Sequence, residues 1–199
     1  MAEERPALPV ADPAPLGLAA FALTTFLLSA KNANWMGSAT GDAWLGYALA
    51  YGGAAQLLAG MWEFRNRNVF GATAFSTYGG FWIGLFLWVQ FVAGKATGNQ
   101  AGHDLGWILL AFAIFNTYML ILSTQLNTAV FGVFLTLEIT EIVLFIGNFA
   151  GNTSMVKVGG YIGILTALVA WYTSAAGVSA GVNGRIKLPV GRALLAARS

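Results

Sequence analysis

Residues Val69 to Ala93 read VFGATAFSTYGGFWIGLFLWVQFVA, without one Asp, Glu, Lys or Arg. A helix needs roughly 20 mostly apolar residues to cross the hydrocarbon core of a bilayer, and this run is long enough. Runs of the same kind lie on both sides of it: Trp44 to Trp62 before, Leu105 to Leu137 and Val158 to Gly184 after. With a shorter apolar segment near the N-terminus, the pattern predicts six spans, over 15–30, 44–62, 72–93, 106–125, 128–147 and 157–177. Charged residues make up 9% of the 199-residue chain, whereas soluble domains carry about a quarter. The chain is therefore read as an all-α, polytopic membrane protein with six transmembrane helices. One membrane domain is expected over 12–180, flanked by a disordered tail over 1–11 and a short basic tail over 181–199.

Basic residues orient the spans. Arg5, Arg65, Arg67, Arg185, Lys187, Arg192 and Arg198 fall on the side of the N-terminus, and Lys31, Lys95 and Lys157 fall on the other. Cytoplasmic loops carry the excess of Lys and Arg, so both termini are expected in the cytoplasm. Trp35, Trp44, Trp62, Trp107 and Trp171 lie near span ends, where interfacial anchors collect. The start Met-Ala-Glu-Glu is acidic where a secretory signal is positively charged, so no cleavable signal is expected. There is no cysteine, which excludes disulfides and thiolate ligands. His103 is the one histidine, expected in a loop beside Asp104, and a lone loop histidine makes no metal site. The net charge of +2 is small and no basic segment alternates with aromatics, so nucleic acid is not a partner. No metal or cofactor is implied, and no paired base and nucleophile points to an enzyme.

Polar groups inside spans are expensive and each needs a reason. They gather in four places: Thr24 and Thr25; Tyr51, Gly52, Gly53 and Gln56; Ser76, Thr77 and Tyr78; Asn148 and Asn152. Hydroxyls and amides of this kind can donate to a small anion without a fixed positive charge. The plainer alternative is that Thr and Ser bond back to their own helix, which the longer amides of Gln56 and Asn148 do less readily. Glu138 and Glu141 are three apart and share a helix face. Two carboxyls placed there repel each other and lose hydration, which favours a proton on one of them and suits a proton relay. Pairing with a neighbouring helix, or a wet vestibule, is the alternative. Phe21 and Tyr78 flank the polar clusters, where large rings either gate by excluding water or pack the core. The glycine pairs Gly80/Gly84, Gly147/Gly151 and Gly159/Gly163 allow close helix approach, within one subunit or between copies.

Asp12-Pro13-Ala14-Pro15-Leu16-Gly17-Leu18 leads into the first span. Proline is favoured at a first helical position, and Asp12 can cap free backbone N–H groups there. Four further pieces follow in order: Tyr51-Gly52-Gly53-Ala54-Ala55-Gln56; Phe70-Gly71 with Phe75-Ser76-Thr77-Tyr78-Gly79-Gly80-Phe81-Trp82; Gly147-Asn148-Phe149-Ala150-Gly151-Asn152; and Asn183-Gly184-Arg185 with Leu188-Pro189-Val190-Gly191. Together they resemble the acetate uptake transporter (succinate–acetate permease) family over residues 12 to 191. Asp12 stands where that family usually has Asn, and Glu138 and Glu141 stand where apolar residues are expected.

The resemblance implies a six-helix subunit, a ring-shaped hexamer, and passage of acetate and similar small carboxylates through each subunit. It also implies an apolar constriction at Phe21, Tyr78 and Leu137, behind an opening motif that includes Asp12, Pro13, Pro15 and Gly17. The expected function is transport of acetate and related carboxylates with protons across the cell membrane. Thr24, Tyr51, Gln56, Thr77, Tyr78 and Asn148 are expected to bind the carboxylate, and Glu138 and Glu141 to relay protons. The alternatives are an uncoupled anion channel of the same fold, or an acid sensor or membrane scaffold that does not transport.

Overall fold

Asparagine side chains set where three of the long helices begin. Asn68 Oδ1 accepts from Gly71 N at 3.1 Å, Asn127 Oδ1 from Val130 N at 2.9 Å, and Asn152 Oδ1 from Met155 N at 3.0 Å. Each bond satisfies a backbone donor that a helix start leaves free. The computed structural model describes residues 10–37, 42–182 and 184–195. It comprises α1 (Ala14–Asn32), α2 (Ala43–Leu49), a π-helical turn (Ala50–Ala55), α3 (Gln56–Arg65), α4 (Val69–Phe91), α5 (Gln100–Ser123), α6 (Thr128–Phe149) and α7 (Thr153–Gly181). A short 3₁₀ turn, Ala93–Lys95, follows α4, and there is no strand among the described residues.

Five of these stretches, α1, α4 with its following turn, α5, α6 and α7, are long and apolar enough to cross a membrane unbroken. The sixth predicted span is the continuous helical path from α2 through the π turn into α3. The outer surface carries large apolar side chains, among them Leu58, Ile114 and Leu168, as a lipid-facing surface requires. At α4 and α7 the Asn68 and Asn152 caps start the helix three or four residues ahead of the predicted run, and other ends differ without a side-chain cap. The fourth span begins at Gln100 instead of 106, and the last extends over Thr153–Gly181 instead of 157–177. His103 accordingly lies in the first turn of α5, not in a loop, with its ring edge-on to Phe149 at 5.9 Å between centroids.

Backbone proximity holds the bundle together. Apolar side chains gain little from each other over lipid, so helix association depends on close packing and interhelical hydrogen bonds. On α7, a Cβ at Gly160 would stand 2.5 Å from Ala33 N and 2.8 Å from Ser29 O, so α1 and α7 touch through their backbones. Ser174 Oγ donates to Pro15 O at 2.6 Å near the other end of the same pair, bringing the start of α1 beside the end of α7. Gly147 and Gly159 pack α6 against α7 within the subunit, whereas Gly80 and Gly84 have open space in front of them.

One more expectation is corrected. Trp44 is 3% exposed and faces the interior, so it is no interfacial anchor, unlike the exposed Trp35, Trp62 and Trp107. The C-terminal stretch, expected as a short basic tail, is held against α6 and α7 as far as it is described. Its Val190 O accepts from Ala129 N (2.9 Å), Arg192 O from Thr128 Oγ1 (2.9 Å), and Pro189 O from Tyr172 Oη (2.7 Å). Residues 1–9, Asn183 and Arg198 lie outside the described residues, and with them the N-terminal tail and the contribution of Arg5 to the charge count.

Gly160→Ala forces apart two backbones and is expected to cost about 1–3 kcal/mol. Gly80→Ala meets nothing within the subunit and improves helix propensity, so it leaves the stability of the single subunit unchanged or slightly raised. Melting curves of the two variants in detergent check the contrast.

Candidate functional site

Tyr78 owes its position to its neighbour. A Cβ at Gly79 would stand 2.7 Å from Leu57 N, so the glycine lets α4 lie directly on α3. Tyr78 then points inward at 4% exposure, with its ring edge-on to Phe21 of α1 at 5.7 Å. The other side of the ring meets Phe81, Phe112 and Phe115, at 6.3, 5.8 and 5.5 Å. Leu137 of α6 lies at the same level, 6% exposed.

Two narrow cavities end at these three side chains from opposite directions. One, of about 30 Å³, is lined by Phe21, Tyr78 and Leu137 together with Leu18, Gln56, Ala74, Phe75, Val133 and Phe134. The other, of about 50 Å³, adds Thr25, Ser29, Asn32, Trp82, Thr140 and Glu141 to the same three. Each continues outward through shared walls. Leu18, Ala74, Phe75 and Phe134 lead from the first into a vestibule of about 310 Å³ that reaches Asp12, Asn66, Asn68 and Asn127. Leu28, Asn32, Phe81, Leu109 and Leu144 lead from the second into one of about 190 Å³ under Trp44. That space opens in turn to a mouth of about 550 Å³ lined by Lys31, Asn34, Asn99, Asn148 and Lys157. The cavities thus form a line through the subunit, interrupted at one apolar layer.

The polar groups around that layer fall into two sets. Behind Tyr78, away from the line of cavities, runs a chain of hydrogen bonds. Tyr78 Oη donates to Asn116 Oδ1 (3.1 Å), and Glu141 Oε1 is its second acceptor at 3.3 Å. Asn116 Nδ2 donates to Phe134 O (3.0 Å) and Glu138 Oε2 (2.7 Å), while Glu138 Oε1 faces Thr117 Oγ1 at 2.8 Å. Of the residues lining the cavity beside Trp82, Thr25 Oγ1, Trp82 Nε1 and Glu141 Oε2 are buried and without a hydrogen-bond partner in the protein. Gln56 Oε1 is in the same condition on the opposite side. Unpaired buried polar atoms are rare, and among the described residues four of the seven belong to side chains lining the two narrow cavities, the others being Trp44 Nε1, Ser76 Oγ and Glu63 Oε1. A hydroxyl and an indole N–H, both donors, suit a small carboxylate. No Lys or Arg lines either narrow cavity.

The structure brings some of the sequence-predicted residues together and leaves others aside. Phe21, Tyr78 and Leu137 meet, Gln56 lines one narrow cavity, and Glu141 lines the other. Asn148 sits at the mouth, with its amide turned to its own helix at Leu144 O (2.8 Å). Thr24, its neighbour Thr25 notwithstanding, faces α2 and the π turn: its hydroxyl donates to Ala20 O at 3.0 Å, with Tyr47 O at 3.4 Å. Tyr51 and Thr77 line none of the five cavities, and neither does Glu138, whose carboxylate is engaged by Asn116 and Thr117. In the opening motif, Asp12 Oδ1 accepts from Ala14 N at 3.0 Å and the residue lines the outer vestibule. Pro13 and Pro15 frame that turn, and Gly17 packs flat against the Phe75 ring. Asn116 and Trp82 were not among the predicted site residues. A fully buried amide midway along an apolar span was the available signal for Asn116.

The profile of the GPR1/FUN34/yaaH family matches residues 2–192. The chain is 38% identical over 181 residues to the ammonia transport outward protein 2 of Saccharomyces cerevisiae, covering 88% of this chain and 64% of that protein. It is 39% identical over 195 residues to acetate permease A of Emericella nidulans, covering 90% and 65%. The chain thus spans just under two thirds of the length of these fungal relatives. It is 34% identical to the succinate-acetate/proton symporter SatP of Escherichia coli K12, covering 92% of this chain and 96% of that protein. A solved structure, that of the bacterial acetate channel SatP, superposes with a TM-score of 0.84 at 34% identity, covering 92% of this chain and 99% of the other.

Tyr78→Phe removes the donor from a buried acceptor, Asn116 Oδ1, which costs about 1–3 kcal/mol. Thermal unfolding in detergent is expected to show a loss of that order.

Proposed function

The chain belongs to the GPR1/FUN34/yaaH family, and we propose that it is a membrane path for acetate and similarly small carboxylates. The observation that carries this reading is the line of cavities interrupted only at Phe21, Tyr78 and Leu137, with unpaired donors of Thr25 and Trp82 beside the interruption. A carboxylate arriving from the Lys31 and Lys157 mouth loses water as it narrows in, and the hydroxyl and the indole N–H replace that hydration. The three apolar side chains form the gate, excluding water and larger solutes. On the far side Gln56 offers its amide, and the vestibule at Asp12 releases the solute.

Protons are the proposed partner of transport, and Glu141 is the group that takes them. It lines the path beside the proposed carboxylate site, and an ionised Glu141 would repel an incoming anion. Protonated, it becomes a further donor. Both termini are placed in the cytoplasm, the protein in the cell membrane, and the assembly is a ring of identical subunits, with the open surface at Gly80 and Gly84 available to a neighbour. The likeness to a structure described as an acetate channel favours a second reading, in which acetate crosses as an uncoupled anion.

Purified protein in liposomes and in planar bilayers separates these readings. Uptake of labelled acetate is measured above that of protein-free vesicles, because acetic acid itself crosses lipid. Saturable uptake without current, with acidification of the lumen that Glu141→Gln abolishes, is the expected result. An acetate current whose reversal potential ignores pH would replace coupling with the channel reading, and no flux above protein-free vesicles would leave only a sensor or scaffold. Trp82→Phe is expected to weaken apparent acetate affinity roughly tenfold, the equivalent of about 1.5 kcal/mol for one hydrogen bond to a charged group.

A further inference from the structure

We propose that Asn116 and Glu138 are positioning residues that hold the Tyr78 ring in the constriction and so set the largest carboxylate that passes. Neither touches the path: Asn116 is fully buried behind Tyr78, and Glu138 lines no cavity. The inference rests on the reading of Phe21, Tyr78 and Leu137 as the gate.

The phenol has one proton and two acceptors within reach, Asn116 Oδ1 at 3.1 Å and Glu141 Oε1 at 3.3 Å. They pull in different directions, since Asn116 stands on α5 behind the ring and Glu141 stands on α6 at the wall of the cavity. Where the ring sits therefore depends on how firmly Asn116 presents its oxygen. An amide can rotate about its last bond and exchange oxygen for nitrogen. Here that rotation is blocked because Nδ2 is bonded twice, to Phe134 O at 3.0 Å and to Glu138 Oε2 at 2.7 Å. The second bond is to a carboxylate and is the stronger kind. Glu138 is itself aimed by Thr117 Oγ1, at 2.8 Å from its other oxygen. The order of control runs from Glu138 to Asn116 to Tyr78. The chain also assigns the two glutamates different work. An amide lies between Glu138 and the phenol and does not pass a proton along, so Glu138 orients while Glu141 alone meets the path.

The test is the ratio of butyrate flux to acetate flux through the protein in liposomes, above protein-free vesicles. A residue needed only for stability would lower both fluxes together and leave the ratio alone. Asn116→Ala frees the phenol and is expected to raise the ratio roughly fivefold, the equivalent of about one hydrogen bond. Tyr78→Phe, which removes the hydroxyl that Asn116 holds, should raise it similarly, and the double variant should go no further than either single one. Glu138→Leu should raise the ratio, and Glu138→Gln, whose amide oxygen still accepts from Asn116, should restore it. If Asn116→Ala fails to assemble, the two Glu138 variants decide the matter alone. An unchanged ratio in Glu138→Leu, or additive effects of Asn116→Ala and Tyr78→Phe, overturns the proposal while the gate reading survives. Absence of acetate flux in the unaltered protein overturns both.

Discussion

Three carboxyls, Glu63, Glu138 and Glu141, with several hydroxyls and amides, have to be held in an apolar interior where water does not stand in as a partner, and the bundle is arranged around how most of them find one. Several threonines settle the matter locally. Thr136, Thr140, Thr166 and Thr173 each reach the carbonyl four residues back along their own helix. Glu138 is too large a demand for a local solution, so it draws an amide from α5, and that amide in turn takes the phenol of α4. Three helices are thereby tied at one depth by side chains alone, and the aromatic ring that ends the two narrow cavities is fixed by the same set of bonds. Of the buried groups left unpaired, Thr25, Trp82 and one oxygen each of Glu141 and Gln56 belong to residues lining the narrow cavities, Trp44 lines a wider one, and Ser76 and one oxygen of Glu63 line none of the five.

Shape and chemistry meet at the π turn, Ala50–Ala55. Its glycines replace side chains with backbone contact: a Cβ on Gly52 would stand 2.6 Å from Thr24 Oγ1 and 2.9 Å from Trp82 Cδ1. The wide turn and the two glycines let the second span press against α1 and α4 together. That pressure holds the Trp82 indole at the cavity wall. Motif residues that contribute no side chain to the path thus contribute its wall position. Tyr51, which opens the turn, marks the geometry rather than the chemistry.

Hydropathy was enough to read the six spans and their order, because a bilayer imposes one length on every crossing. It was a poorer guide to the ends, where Asn68 and Asn152 override it through single hydrogen bonds. Facing was harder still. Thr24 and Thr25 are chemically alike and adjacent, but one turns to the second span and the other to the cavity, about 100° apart around the helix. Every face of these helices is apolar, so no hydrophobic stripe distinguishes inside from outside, and periodicity carries little of the information it carries in a soluble protein. Trp44 looked like an interfacial anchor for the same reason. The level of Phe21, Tyr78 and Leu137 was legible only through the resemblance, and Asn116 only through its cost to the span that holds it.

The apolar layer has an electrical consequence. Cavities reach it from both ends, so water filling them would be parted by one layer of side chains. A membrane potential falls mainly where the dielectric is low, and along this line the low-dielectric stretch is only that layer. An ion stepping past Phe21, Tyr78 and Leu137 therefore crosses most of the field in one move, worth about 2.3 kcal/mol per unit charge for each 100 mV. A neutral acid making the same step does no electrical work. The thickness of three side chains makes the proton on a carboxyl the difference between a passage governed by voltage and one that ignores it.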